Sequence, residues 1–180
     1  MSDSWKEFDH NPVSHSAAHH LVAIAELLEE YGYARVSDVA RLLEITRGSV
    51  SVTLKGLKQR GLVTEDERRF LGLSDVGRAI AESVRVRKIV MKRLFEVILG
   101  VSEGQADVDT CKIEHLISNV TAARATRFLR FAESAANEAQ AFRRALERFS
   151  ERCAGDPASC PCCDEVCLEA RLTAASVPTE

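Results

Sequence analysis

The sequence predicts a mostly α-helical protein with a small β wing, a winged helix-turn-helix unit followed by a helical dimerisation domain. Three observations predict it. Apolar residues recur at helical spacing on both sides of a break at Glu44-Ile45-Thr46, as in two short helices joined by a tight turn. After Gly61 the period changes: Leu62-Val63-Thr64 and Phe70-Leu71-Gly72-Leu73 flank the charged stretch Glu65-Asp66-Glu67-Arg68-Arg69, which suits a two-stranded wing. From Ser74 the chain returns to helical patterning.

Taken in order, residues 1–13 are polar, contain Pro12 and read as a disordered N-terminus. A first helix follows from Ser14, with Leu21, Ile24, Ala25 and Leu28 on one face and Gly32 as its stop. His15 and His19 stand one turn apart on it and share a face. The helix-turn-helix begins with Val36, Val39, Ala40, Leu42 and Leu43, and Ser37 is placed to cap its first helix. The second runs through Val50, Leu54 and Leu57 to Gly61. Residues 14–75 therefore form the winged helix-turn-helix domain.

Ser74-Asp75 caps a long helix from about Val76 to Leu99, ending at Gly100, with Ile80, Val84, Met91, Phe95 and Ile98 as its apolar stripe. That length exceeds the needs of a lone winged helix and leads into a second domain, residues 76–152. A helix over Asp107–Ile117 follows. Another spans Val120 to about Arg152, with a break near Ser134-Ala135-Ala136-Asn137 and an apolar set of Phe128, Leu129, Phe131, Phe142, Leu146 and Phe149. Residues 153–180 form a Cys-rich tail punctuated by Pro157, Pro161 and Pro178.

Composition bounds the function. The chain has 180 residues, 46% hydrophobic and 28% charged, an ordinary globular balance. No apolar run approaches a membrane span and the N-terminus lacks a signal-peptide core, so a cytoplasmic protein is expected, with no membrane partner. A net charge of -3 excludes non-specific coating of nucleic acid, so any DNA contact must come from a local basic patch. Arg41, Arg47, Lys55, Lys58 and Arg60 supply one, against the single acid Glu44. The second helix of the motif opens on Thr46, Arg47, Gly48, Ser49 and Ser51, small or hydrogen-bonding residues able to approach bases and phosphates. With Lys55 and the wing residues Arg68 and Arg69 they are the candidate contacts to double-stranded DNA. A solvated basic face accounts for the helix alone and leaves the wing arginines unexplained.

Two clusters carry metal-type chemistry. Cys111, Glu114 and His115 stand at i, i+3 and i+4 of the expected helix, so a thiolate, a carboxylate and an imidazole leave one face together. The same spacing suits a buried cysteine beside a surface Glu and His, and spacing does not choose between them. Cys153, Cys160, Cys162, Cys163 and Cys167 are dense enough for a second metal or a cluster, either zinc or iron–sulfur. Their spacing matches neither a zinc ribbon nor a ferredoxin run, and a flexible, redox-labile tail remains the alternative.

The segments GYARVSDVARLLEITRGSVSVTLKGLKQRGLV, RFLGLSDVGR and ILGVSEGQADVDTCKIEHLIS, in this order, resemble the DtxR/MntR family of metal-dependent transcriptional repressors over roughly residues 14–135. The resemblance implies a homodimer whose metal-activated form binds a palindromic operator, and hence repression of metal-uptake genes. It implies a metal set of His19, Cys111, Glu114 and His115, with the metal cross-linking the DNA-binding and dimerisation domains. In the family a cysteine at the Cys111 position goes with iron, so Fe(II) comes first, with Zn(II) or Mn(II) as alternatives; thiolate softness agrees.

The sequence also departs from the family pattern. Lys88 and Lys92 occupy positions of an ancillary metal site, which is therefore expected to be absent, and Val22 replaces the second acid of manganese sensors. Val52 replaces the base-contacting polar residue, and no stretch resembles the SH3-like domain of longer members. A regulator sensing redox state or an iron–sulfur cluster through the C-terminal cysteines is the competing reading. An enzyme using Cys111 and His115 is not expected, since no oxyanion loop is visible.

Overall fold

In the computed structural model residues 13–150 are described. They form helices α1 (His15–Tyr31), α2 (Val36–Leu42) and α3 (Arg47–Gln59), strands β1 (Val63–Glu65) and β2 (Leu71–Leu73), then α4 (Asp75–Arg93), a π-helical turn (Leu94–Ile98), α5 (Glu103–Ile113), α6 (Asn119–Ala132) and α7 (Asn137–Ser150). The fold is mostly α with one small β wing.

Local chemistry sets the boundaries. The Ser14 hydroxyl accepts from the Ala17 amide to start α1, and Gly32 ends it in the left-handed region at φ 76°, where a side chain would be strained. Thr46 caps α3 by accepting from the Ser49 amide. Ser74 does the same for α4 through Gly77. Ser37 does not cap α2. That helix starts at Val36 on an extended Arg35, and the Ser37 hydroxyl turns to the neighbouring Asp38 carboxylate at 3.5 Å. The turn between α2 and α3 places Glu44 at φ 55°, a left-handed position held by a non-glycine residue.

The wing is antiparallel, with Val63 opposite Leu73 and Glu65 opposite Leu71. The Leu71 amide also donates to the Ala34 carbonyl at 2.8 Å, tying the wing to the segment before α2. One core runs beneath these elements. Leu21 and Ile24 of α1, Val39 of α2, Val50, Leu54 and Leu57 of α3, Leu71 of the wing and Val84 of α4 are all buried within it. Removing such a side chain costs about 2–5 kcal/mol, so α1 is the scaffold on which the motif is assembled. Gly77 locks the wing to α4: a Cβ there would lie 2.1 Å from the Leu62 carbonyl oxygen.

The long helix stops earlier than its sequence predicts. After Arg93 the ladder widens to a π turn, with the Leu99 amide donating to the Leu94 carbonyl, before Gly100 turns the chain at φ 65°. α5 begins near Ser102, earlier than expected, and ends at Ile113; Glu114 and His115 continue its right-handed path into the following turn. The expected break falls between α6 and α7.

The chain divides into two compact units, one up to Leu129 and one from Arg130. Within the second, Phe131 and Phe142 pack with ring centroids 6.4 Å apart, and the Arg143 guanidinium donates to the carbonyls of Ala132 and Ser134. No helix among the described residues is long and apolar enough to cross a membrane.

Candidate metal centre and nucleic-acid face

α1 and the C-terminal end of α5 bring five ligand-type side chains together. His19 Nε2 lies 3.4 Å from Cys111 Sγ and 3.6 Å from a Glu114 carboxylate oxygen. His15 Nδ1 faces His115 Nδ1 at 3.4 Å, and the His15 and His19 rings are 4.4 Å apart at their centroids. Of the residues singled out in the sequence, His19 meets Cys111 and Glu114, whereas His115 is reached through His15. His15 joins them, with ligand atoms of His15, His19 and Cys111 all within 4.8 Å of one another. The i, i+4 relation of the two α1 histidines pointed to a shared face, but nothing local in the sequence says which face meets α5.

The electrostatics favour uncharged donors. Burial, then the neighbouring His15, Lys88 and His115, lower the His19 pKa to about 4. Burial, then His15 and Arg87, hold His115 below the ordinary histidine value. Burial and then the Glu114 charge push the Cys111 thiol up, while Lys88 opposes them. Burial also raises Glu114 against the opposing pull of Lys88 and Arg87. Glu114 is 3% exposed, and its Oε2 has no hydrogen-bond partner among the described residues.

A buried carboxylate oxygen without a donor, beside a thiol and neutral imidazoles, fits a divalent cation. Neutral imidazoles offer their lone pairs, and a double positive charge reverses the penalties on Cys111 and Glu114. Arg87 fixes the turn by donating from Nε to the Glu114 carbonyl at 2.6 Å. His19 and Glu114 also line a cleft of about 230 Å³ with Val22, Glu26, Val84 and Lys88.

Residues 74–143 match the family described as iron dependent repressor, metal binding and dimerisation domain, and residues 13–69 match the MarR family. The HTH-type transcriptional regulator MntR of Geobacillus kaustophilus (strain HTA426) is 35% identical over 92 residues, 51% of this chain and 64% of that protein. Both parts of the chain are thus similar to metal-dependent repressors of the DtxR/MntR type. Solved structures agree in fold. T. acidophilum IdeR superposes with a TM-score of 0.53 at 25% identity over 62% of this chain and 53% of that one. The manganese regulator SloR gives 0.58 at 22% identity, over 63% and 53%. The chain therefore spans just under two thirds of its curated relative and about half of each of these structures.

The two lysines at the DtxR/MntR family's ancillary positions have distinct surroundings. The Lys92 ammonium pairs with Asp107 at 2.8 Å and lies 3.6 Å from Glu103 and 3.7 Å from Glu96. Lys88 lines the cleft beside His19 and Glu114.

The candidate DNA-contacting residues sit on α3 and the wing. Thr46, Arg47, Gly48, Ser49, Ser51, Lys55, Arg68 and Arg69 are all exposed. Val52 is 76% exposed on the same helix, an apolar side chain held out in water. The Thr46 hydroxyl contacts the Ser49 hydroxyl at 2.9 Å, and the Ser51 hydroxyl donates to the Arg47 carbonyl. Lys58, counted from sequence in the basic patch, pairs with Glu65 of the wing; Arg69 pairs with the same carboxylate at 3.3 Å. Cys153, Cys160, Cys162, Cys163 and Cys167, with the tail reading they carried, lie outside the described residues.

Proposed function

We propose that this protein is a metal-responsive DNA-binding transcriptional regulator that acts as a homodimeric repressor of metal-uptake genes. One observation carries the reading: His19 of α1 meets Cys111 and Glu114 of the α5 end at 3.4 and 3.6 Å, so the donor cluster joins the scaffold of the winged helix to the helical region. His19, Cys111, Glu114 and His115 are the metal-binding residues. A divalent ion bound there supplies positive charge that draws thiolate, carboxylate and imidazoles together. Fe(II) suits the thiolate-bearing set, with Zn(II) next and Mn(II) disfavoured by softness.

The rest follows from the chain's own residues. α1 carries His19 on one side, packs Leu21 and Ile24 into the core it shares with α3, and approaches α3 through Ser16 Oγ and Thr53 Oγ1 at 3.5 Å. Fixing α1 against α5 therefore fixes the seat of the recognition helix. Arg47, Lys55 and Arg68 present charge to phosphates, while Ser49 and Ser51 present hydroxyls near base edges. A second copy of the chain would cover apolar side chains such as Ile89, Leu99, Val108 and Val120, all more than half exposed. Two such heads on one dimer suit an inverted-repeat operator.

The test is metal titration of the full chain and of Cys111→Ala under anaerobic conditions, each followed by binding to a pool of random duplexes. The reading expects wild type to take up metal tightly and then select an inverted repeat. It expects Cys111→Ala to lose both while remaining helical and dimeric. Equal metal-dependent selection by both proteins would place the sensor elsewhere, with the tail cysteines next in line.

A further inference from the structure

We infer that His15 is itself a metal ligand, a second imidazole from α1, and that it turns the centre toward Zn(II)-type ions and away from Mn(II). This deepens the function proposed above and rests on it.

The ligand atoms of His15, His19 and Cys111 all lie within 4.8 Å of one another. His15 Nδ1 also faces His115 Nδ1 at 3.4 Å. Two ring nitrogens so placed share at most one proton between them, and a cation that accepts both lone pairs satisfies each. His15 is the first residue of α1 and His19 the fifth, so their side chains leave the helix one turn apart on one face. Two histidines at this spacing give one rigid element two donors, the arrangement zinc-binding helices use.

The donor inventory decides selectivity. With His15 the cluster offers imidazoles from His15, His19 and His115, the Cys111 thiolate and the Glu114 carboxylate. Nitrogen and sulfur donors outnumber oxygen, which favours Zn(II) and Co(II) in a compact site over Mn(II), a metal suited to carboxylates and water. The unpartnered Glu114 Oε2 marks where the remaining charge is needed. His15 itself is exposed, so it can enter or leave the coordination sphere without disturbing the core.

The experiment uses the full chain, anaerobic, with Co(II) as the probe and Zn(II) and Mn(II) as competitors, on wild type, His15→Ala and His15→Asp. Circular dichroism confirms the fold; the exposed helix-start position makes both substitutions tolerable. His15→Ala is expected to change the visible Co(II) bands that report coordination number. It should also weaken Co(II) binding by more than the roughly 10–100-fold that loss of an outer-shell partner costs. His15→Asp is expected to restore part of the affinity and to narrow the preference for Zn(II) over Mn(II). Identical Co(II) spectra for wild type and His15→Ala would overturn the role of His15 while leaving the centre itself intact. Absence of Co(II) binding by wild type would instead overturn the centre and this inference with it.

Discussion

The recognition face and the metal cluster handle charge in opposite ways. On α3 and the wing, Arg47, Lys55 and Arg68 are exposed, and none enters an ion pair among the described residues. Keeping such charges in water costs almost nothing, so this face is complete before any ligand arrives. At the cluster, burial raises Glu114, pushes Cys111 up and lowers His19 to about 4, and one Glu114 oxygen is left without a donor. That region holds its groups in states that a cation would relieve. The contrast is between exposed charges that water already satisfies and buried donors suited to a cation. In the function proposed above, metal would act at the second and the effect would be read at the first.

The sharpest way to break this contrast is to remove a donor. Cys111→Ala is expected to weaken Co(II) or Fe(II) binding by at least about 100-fold, measured by competition with a chelator. A smaller loss would mean that the thiol is only a neighbour. The next effect is in pH. Because His19 titrates at about 4, its proton is gone at neutrality; the raised thiol still carries one and must release it on binding. Metal affinity should therefore rise about tenfold per pH unit between pH 6 and 8, and Cys111→Ser should flatten that slope. An unchanged slope in Cys111→Ser would assign the proton to another group.

On the recognition face the expected effects are smaller, and the contrast lies between two lysines. Lys55→Gln should weaken DNA binding roughly fivefold and lower the salt dependence by about one counterion. Lys58→Gln should do less, because its ammonium is already held by Glu65. Equal losses at both positions would mean that the wing carboxylate lets go of Lys58 when DNA arrives.

The smallest effect tests the cost itself. Glu114 is raised by burial, so the folded metal-free protein holds its proton more tightly than the unfolded chain and loses stability as pH climbs above about 4.5. Glu114→Gln should remove that loss and leave the metal-free Tm at pH 7 unchanged or higher, by the equivalent of about 1 kcal/mol. A clear drop in Tm would show that the carboxylate is structurally satisfied without metal.

Much of this was legible in the sequence because it is local. The break at Glu44-Ile45-Thr46, Gly61 as a stop and the change of apolar period after it define the winged helix with no long-range information. Cys111, Glu114 and His115 are also local, so their common face could be read, whereas His19 came from the resemblance to the DtxR/MntR family. The features that escaped depend on what lies opposite. His15 could be read as sharing a face with His19, but not as lying beside the end of α5. Lys58 looks free until the wing folds back and offers Glu65. Ser37 has the right chemistry for a cap, but the extended Arg35 sets the helix start ahead of it. Glu44 and Arg69 take left-handed positions at φ 55° and 65° that composition would have given to glycine; at Arg69 the turn is closed by amides of Arg69 and Phe70 donating to the Asp66 carbonyl and carboxylate.

Metal joining α1 to the α5 end is expected to control DNA binding, and one measurement addresses this directly. A duplex selected by the metal-loaded protein would be titrated with wild type and His19→Ala, each with Fe(II) and with a chelator. The account predicts that Fe(II) tightens binding by wild type at least about tenfold, within the usual range of coupling between two sites, and leaves His19→Ala unchanged. Equal binding by wild type with and without Fe(II), or equal tightening of His19→Ala, would contradict it.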